Sequence, residues 1–456
     1  MAAETLNVIE PATEQVMESL ARADVAAVDA AVARAKAAFP AWAAIAPGDR
    51  AALLRSLVAV MEERHEELSV LEARNAGKPL ASARGEIGAA IETFRYMSGA
   101  IERPHGETIP VGGGMAFTVR EPLGVVGLIT PWNFPLAIAC WKLGPALAAG
   151  NTVVLKPAEL TPLTAVRFGE LALEAGIPEG VVNVVVGPGR TCGTRLVDHP
   201  DVAKIAFTGS TEVGASIAAG AAQTIKRVTL ELGGKSANVV FADADIEAAA
   251  AAAPWAVFDN AGQDCCARAR ILIERSAVDD FLAALKPAVE GISVGDPLAD
   301  GTEMGPLISA GQRDSVASFL DAEAPVAIQG KVPDGPGYWF PPTVLHPIEP
   351  SARAATEEIF GPIAVVIPFD DEADAIRIAN DTIYGLSGSI WTKDGGRALR
   401  VARALESGNL SINSNSSVRI NTPFGGFKQS GYGRELGPHA TDAYTELKTI
   451  FYATGR

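Results

Sequence analysis

Val25, Val28 and Val32 recur at helical spacing in an Ala-rich run that opens at Asp24 and closes near Phe39, which predicts a helix with one apolar face. From Pro47 to about Glu72 the residues Leu53, Leu54, Leu57, Val58 and Met61 form one apolar stripe. Glu62, Glu63, Arg64, Glu66 and Glu67 fall outside it, so this stretch predicts a second helix, with His65 on its surface. Between Arg103 and Pro122 the periodicity stops. Pro104, Pro110 and Gly112-Gly113-Gly114 precede an extended run, Met115 to Arg120, which predicts a projecting hairpin of the kind that pairs between subunits.

Beyond this hairpin the pattern alternates. Strands are predicted at Leu123–Thr130, Thr152–Leu155, Val181–Val186 and Lys204–Phe207, with helices at Ile138–Ala149 and Leu163–Ala175. After Lys235 the alternation restarts with a strand at Asn238–Phe241, a helix from Asp245 to about Val257, and strands at Ile271–Ile273 and Ile363–Phe369. Apolar strands separated by helices predict doubly wound parallel sheets covered on both faces. Gly425–Gly437 reads as a glycine-rich loop, and Tyr444–Tyr452 as a final strand.

A chain of 456 residues is long for one hydrophobic core, so two large α/β domains are expected. The formal charge of −16 argues against nucleic acid or an anionic membrane surface as a partner. Four cysteines make no disulfide framework at this length, which fits a reducing compartment. Without a positive n-region followed by an apolar core, or about 20 uninterrupted apolar residues anywhere, a cytoplasmic protein is expected.

Several loops could carry chemistry. Glu231, in Glu231-Leu232-Gly233-Gly234-Lys235, is a candidate base, and Cys265, in Gly262-Gln263-Asp264-Cys265, a candidate nucleophile. A free thiol with a pKa near about 8.5 needs a base or a positive neighbour to act at neutral pH. Cysteine is more often a small buried hydrophobe, and Cys140, Cys192 and Cys266 are read that way. Pro131-Trp132-Asn133-Phe134-Pro135 is a rigid mount whose Asn133 amide can donate to an oxyanion, or simply a packed aromatic turn.

The G-x-G-x-x-G fingerprint is absent. Phe207-Thr208-Gly209-Ser210 instead follows a strand and can open a helix whose amides meet a phosphate, although alone this is more often an ordinary turn. Lys156-Pro157-Ala158-Glu159 lies at the carboxyl edge of a sheet, where ligands bind in open α/β folds. Glu159 can accept hydrogen bonds from a ribose and repel the extra phosphate of NADP, which favours NAD, but a solvated turn is the simpler explanation of this segment taken singly. The five histidines stand far apart without ligand spacing, so no metal site is expected, and a Cys–His hydrolase has little support.

In order along the chain stand Pro-Trp-Asn-Phe-Pro, Lys-Pro-Ala-Glu, Phe-Thr-Gly-Ser-Thr, Leu-Glu-Leu-Gly-Gly-Lys, Gly-Gln-x-Cys, Glu358-Ile-Phe-Gly-Pro362 and Pro423-Phe-Gly-Gly-Phe-Lys428. Together they resemble the NAD(P)-dependent aldehyde dehydrogenase superfamily over nearly the whole chain. The resemblance implies that Cys265 is the nucleophile, Asn133 with the Cys265 backbone N–H the oxyanion site, Glu231 the base that hydrolyses the thioester, and Lys142 a proton relay. It places Lys156 and Glu159 at the adenosine ribose, Gly209 and Ser210 at the pyrophosphate, Glu358 and Phe360 at the nicotinamide ribose, and Trp132 along the same cleft. It further implies a cofactor domain over residues 1–104 and 123–234, a catalytic domain over 235–430, and an oligomerisation arm over 105–122 and 437–456, hence a homodimer or homotetramer.

Asp259 and Asp264 depart from the family pattern, in which these positions are often apolar or aromatic. Acids there raise the thiol pKa, a cost that capture of a cationic substrate would offset. The expected substrate is then an amino-, guanidino- or trimethylammonio-aldehyde, with Phe134, Trp141 and Phe424 offering aromatic faces to the cation. Alternatively, each Asp caps a helix or bonds to backbone. The competing functions are a coenzyme A-acylating dehydrogenase, against which Glu231 argues, and a thiol hydrolase without redox chemistry.

Overall fold

The computed structural model describes residues 4–103, 106–320, 323–416 and 418–454. Pro104 and His105, at the foot of the expected arm, lie outside them. Two large sheets carry the architecture. One has six strands in the order Gly431–Tyr432, Arg227–Glu231, Val202–Thr208, Val125–Ile129, Thr152–Lys156, Val182–Val184. All its neighbours are parallel except the first pair, in which Gly431 stands opposite Glu231.

Strands Val125–Ile129 and Thr152–Lys156 are buried at every position, which is why their sequence reads as continuous apolar runs. Their alternate residues serve opposite faces. Val126, Leu128, Val153 and Leu155 join one core with Leu54, Phe94, Leu143 and Phe168, while Val125, Ile129 and Val154 join another with Val28, Val32 and Ile217.

The second sheet has seven strands in the order Val326–Gln329, Thr343–Leu345, Ile363–Phe369, Arg270–Glu274, Ala237–Val240, Ser387–Trp391, Asn409–Ile412. Only Val326–Gln329, at the edge, is antiparallel. Both sheets are thus the parallel sheets expected, each with one antiparallel strand added at an edge. A short antiparallel edge strand needs no crossover helix, so it can be added from a loop.

The helix expected over Pro47–Glu72 is two helices, Pro47–Glu63 and His65–Ala76, broken at Arg64, whose φ of −102° and ψ of 12° leave the helical region. Gly425–Gly437 is not only loop: it contributes Phe427–Lys428 and Gly431–Tyr432 as strands. Asp24 and Asp245 cap the first turns of their helices through Ala27 N and Ala248 N, as their positions ahead of apolar runs suggest.

A third sheet projects from the body. Gly114–Pro122 pairs with Thr108–Val111 and with Thr445–Ala453, which runs against it from Thr445↔Pro122 to Ala453↔Gly114. Leu447, Phe451 and Tyr452 are exposed along this arm. Among the described residues no helix is long and apolar enough to cross a membrane.

Candidate active site

The register of the six-stranded sheet aligns Ile129 with Lys156 and with Phe207, and Thr208 with Glu231. The segments that follow these strands therefore emerge along one edge. Pro131–Phe134 leaves it and runs into a helix that starts at Pro135, where a fixed φ suits the first helical turn.

The seven-stranded body brings Cys265 to the same place through an unusual turn. Helix Ile246–Val257 ends at Phe258, and Asn260, Ala261 and Gly262 then take positive φ values of 51°, 56° and 70°. For a residue with a Cβ this region costs about 1–2 kcal/mol. Side chains hold the turn in place. Asn260 Nδ2 donates to the carbonyls of Asn133 at 2.9 Å and Gln263 at 3.2 Å, Gln263 Nε2 donates to Asn260 O at 3.0 Å, and Ile308 N donates to Gln263 Oε1 at 2.9 Å. At Gly262 a Cβ would come within 2.3 Å of Gly361 O, so only glycine fits.

The same network fixes Asn133. Its side chain donates to Gln263 O at 2.9 Å, and its carbonyl also accepts from Lys78 Nζ at 2.8 Å. Asn133 is thus tied to the turn that presents Cys265, although 130 residues separate it from Gln263.

Two cavities meet at the thiol. One of about 240 Å³ is bordered by Cys265, Trp132, Asn133, Gly209, Ser210, Glu358 and Phe360. The other, of about 430 Å³, is bordered by Cys265, Glu231, Phe134, Trp141, Asp259, Asp264 and Phe424. The smaller one suits the nicotinamide and pyrophosphate portion of a dinucleotide. Ser210 caps helix Thr211–Ala222, whose first amides suit a phosphate. Glu358 lies over bare backbone, where a Cβ on Gly233 would fall 2.2 Å from its carboxylate, and accepts from Gly234 N at 2.9 Å. Trp132 meets Phe360 edge to face, with ring centroids 5.2 Å apart.

Lys156 and Glu159 stand outside that lining. Lys156 is buried at the end of its strand and donates to Pro157 O at 2.9 Å. Glu159 is not the free charge that was expected. Arg22 Nε donates to it at 2.7 Å, and the same guanidinium reaches Glu4. A paired carboxylate repels a phosphate far less than a bare one, so the charge argument for NAD over NADP loses most of its force.

At both reacting candidates the surroundings disfavour the charged form. Glu231 is 3% exposed, and neither of its carboxyl oxygens has a hydrogen-bond partner among the described residues. Burial, reinforced by Glu435, pushes its pKa well above the carboxylate range, while Lys142 and Arg434 pull the other way. Lys142, fully buried, pairs with Glu435 and donates to Thr208 Oγ1 at 2.7 Å. The Cys265 thiol is pushed well up by its hydrogen bond with Cys266, by burial and by the charge of Asp264. Burial likewise raises Glu358 to about 7.

The two unexpected acids do border the larger cavity, and each also bonds to backbone: Asp259 Oδ1 accepts from Asn260 N at 2.9 Å, and Asp264 Oδ1 from Cys266 N at 2.8 Å. The backbone bonds posed from sequence as the alternative role are thus present at both acids. Phe134 is less available than expected, because Lys78 Nζ already sits 4.4 Å from its ring centroid. Trp141 and Phe424 pack edge to face at 5.2 Å.

Four participants escaped the sequence analysis: Arg22, Lys78, Glu86 and Arg268. Glu86 borders the larger cavity from helix Leu80–Ala100, bonds to Lys78, and is raised by burial to about 8. The spacing of Ile87, Ile91 and Phe94 would have revealed that helix.

A dinucleotide cleft and a substrate chamber that share one thiol define an oxidoreductase that works through a covalent adduct. The chain belongs to the aldehyde dehydrogenase family: a model described as "Aldehyde dehydrogenase family" matches residues 1–450. It is an oxidoreductase acting on aldehydes, in a family that depends on NAD or NADP. It is 43% identical to the NADP/NAD-dependent aldehyde dehydrogenase PuuC of Escherichia coli, over 98% of this chain and 92% of that one. A betaine aldehyde dehydrogenase of Sinorhizobium fredii is 43% identical over 98% of this chain and 94% of its own. The structure of PnpE from Pseudomonas sp. WBC-3, solved with nicotinamide adenine dinucleotide, superposes with a TM-score of 0.97 at 44% identity, covering 99% of this chain and 95% of PnpE.

Gly262→Ala should destabilise the protein by about 1–3 kcal/mol in denaturant unfolding, since it adds both a strained φ and a backbone clash. Turnover should fall with it. An unchanged midpoint and rate would mean that the turn is not held as described.

Proposed function

We propose that this enzyme oxidises a cationic aldehyde to its carboxylic acid with NAD, through a thiohemiacetal and then a thioester on Cys265. The observation that carries this is the position of Cys265 on the wall of both cavities, so one sulfur can hold a carbonyl carbon against both. Its thiolate adds to the carbonyl carbon, and the negative charge that develops on oxygen is met by the Asn133 amide and the Cys265 backbone N–H. The bound nicotinamide supplies the hydride acceptor. Glu231 then takes a proton from water, which attacks the thioester and frees the acid. Lys142, paired with Glu435, is the proton relay behind it.

Gly209 and Ser210 are assigned to the pyrophosphate, Glu358, Phe360 and Trp132 to the nicotinamide half, and Lys156 with Glu159 to the adenosine ribose. The cofactor domain takes residues 1–104 and 123–234, the catalytic domain 235–430, and the arm 105–122 with 437–456. The exposed apolar side chains along that arm support a homodimer or homotetramer. Four free cysteines support a cytoplasmic location.

A cationic substrate is supported by Asp259 and Asp264 on the wall of the larger cavity and by the aromatic pair Trp141 and Phe424. The Sinorhizobium relative, a betaine aldehyde dehydrogenase, points the same way.

Glu231→Ala should keep a burst of NADH but lose steady turnover in stopped-flow absorbance. Intact steady turnover, or turnover that requires coenzyme A, would overturn the role of Glu231. Because its pKa is raised, the ionised base appears only as pH climbs through that elevated value, so the acidic limb of kcat should lie at higher pH than an ordinary carboxylate gives. Glu435→Gln removes the like charge and should move the limb to lower pH.

Asp259→Asn should lower kcat/KM for an aminoaldehyde relative to a neutral aldehyde of similar length. An unchanged ratio removes Asp259 from substrate recognition. Arg22→Ala should unmask Glu159 and lower the NADP to NAD ratio of kcat/KM several-fold, and a ratio that rises or stays constant would place the discrimination elsewhere.

A further inference from the structure

Cys266 has no part in the chemistry proposed above, yet its sulfur stands beside the nucleophile. A carboxylate oxygen of Asp264 and the sulfurs of Cys265 and Cys266 all lie within 4.8 Å of one another. The two thiols hydrogen-bond to each other, and neither is in a disulfide.

The arrangement is built rather than incidental. Asp264 is anchored because its Oδ1 accepts from Cys266 N at 2.8 Å. Cys266 is 4% exposed and packs against Leu386, Phe424 and Leu436, so its position is fixed by the core. All three residues border the 430 Å³ cavity, through which a small solute reaches them.

Two sulfurs and one carboxylate oxygen select a soft or borderline dication over magnesium or calcium, which prefer oxygen ligands alone. Zn–S bonds of about 2.3 Å in a tetrahedron set ligand atoms roughly 3.8 Å apart, so the donors need only a small inward movement to close on an ion. Three protein ligands leave a fourth position open towards the cavity.

We propose that Asp264, Cys265 and Cys266 form an inhibitory site for one thiophilic divalent cation, zinc or cadmium. Binding forms two metal–sulfur bonds and one metal–oxygen bond, and each thiol releases its proton to solvent, with no change of oxidation state. The ion ties up Cys265, so the oxidation of aldehydes stops until the metal is withdrawn. Only that consequence rests on the nucleophilic role of Cys265. Metal uptake itself does not.

The test is a titration of the full-length reduced enzyme with cadmium chloride, free of thiol reductant, followed by the cadmium–thiolate charge-transfer band in the ultraviolet. We expect one cadmium per chain, a band with the amplitude of two cadmium–thiolate bonds, and two protons released for each cadmium bound. Cys266→Ser should weaken cadmium binding about tenfold or more and halve the band, and Asp264→Asn should weaken binding while leaving the band intact. A band of a single cadmium–thiolate bond in the unmodified enzyme, or unchanged affinity in Cys266→Ser, would overturn the site. The count in the unmodified enzyme decides the matter even if the variant fails to fold. If the site is confirmed but zinc leaves NADH production untouched, the role of Cys265 is wrong rather than the site.

Discussion

The left-handed turn at Asn260–Gly262 is the constraint on which the site depends. Each residue in it that carries a Cβ is strained, and nothing in the local sequence favours the conformation. What holds it is a set of buried amide hydrogen bonds drawn from both bodies: Asn133 and Lys78 from one, Asn260 and Gln263 from the other. Satisfied buried networks of this kind specify a single geometry, because a broken member leaves a desolvated polar group. Cys265 and Asn133 are thereby positioned by one set of contacts, and neither can shift without the other.

Charge is handled in the opposite way. Around Cys265 and Glu231 the protein places groups that disfavour ionisation: Asp264 and Cys266 beside the thiol, Glu435 beside the acid. Neutral groups are less costly to bury than charged ones, so the resting site can be tightly packed. The buried Lys142–Glu435 pair supplies the nearby positive charge without exposing it to the chamber wall as a free cation.

Much of the fold was legible because strands buried on both faces leave continuous apolar runs, as at Val125–Ile129. The motifs located the edge of the sheet where chemistry occurs. What stayed hidden depended on tertiary partners. The pairing of Glu159 with Arg22 spans 137 residues, and the break at Arg64 interrupts a stripe that looks uniform. Reading metal ligands from histidine spacing could not reveal the group at Asp264–Cys266, whose donors lie next to one another in the chain. Edge strands as short as Gly431–Tyr432 have too few residues to show any periodicity.

That two-residue strand has a bearing on how the enzyme matures. It lies against Arg227–Glu231, and Glu435 stands shortly after it, so part of the setting of Glu231 comes from a segment far along the chain. During synthesis the strand that bears Glu231 leaves the ribosome long before its cover does. Contacts of such sequence separation form late in folding. A nascent chain can therefore hold Glu231, Asn133 and Cys265 before the last of the surroundings of Glu231 are in place.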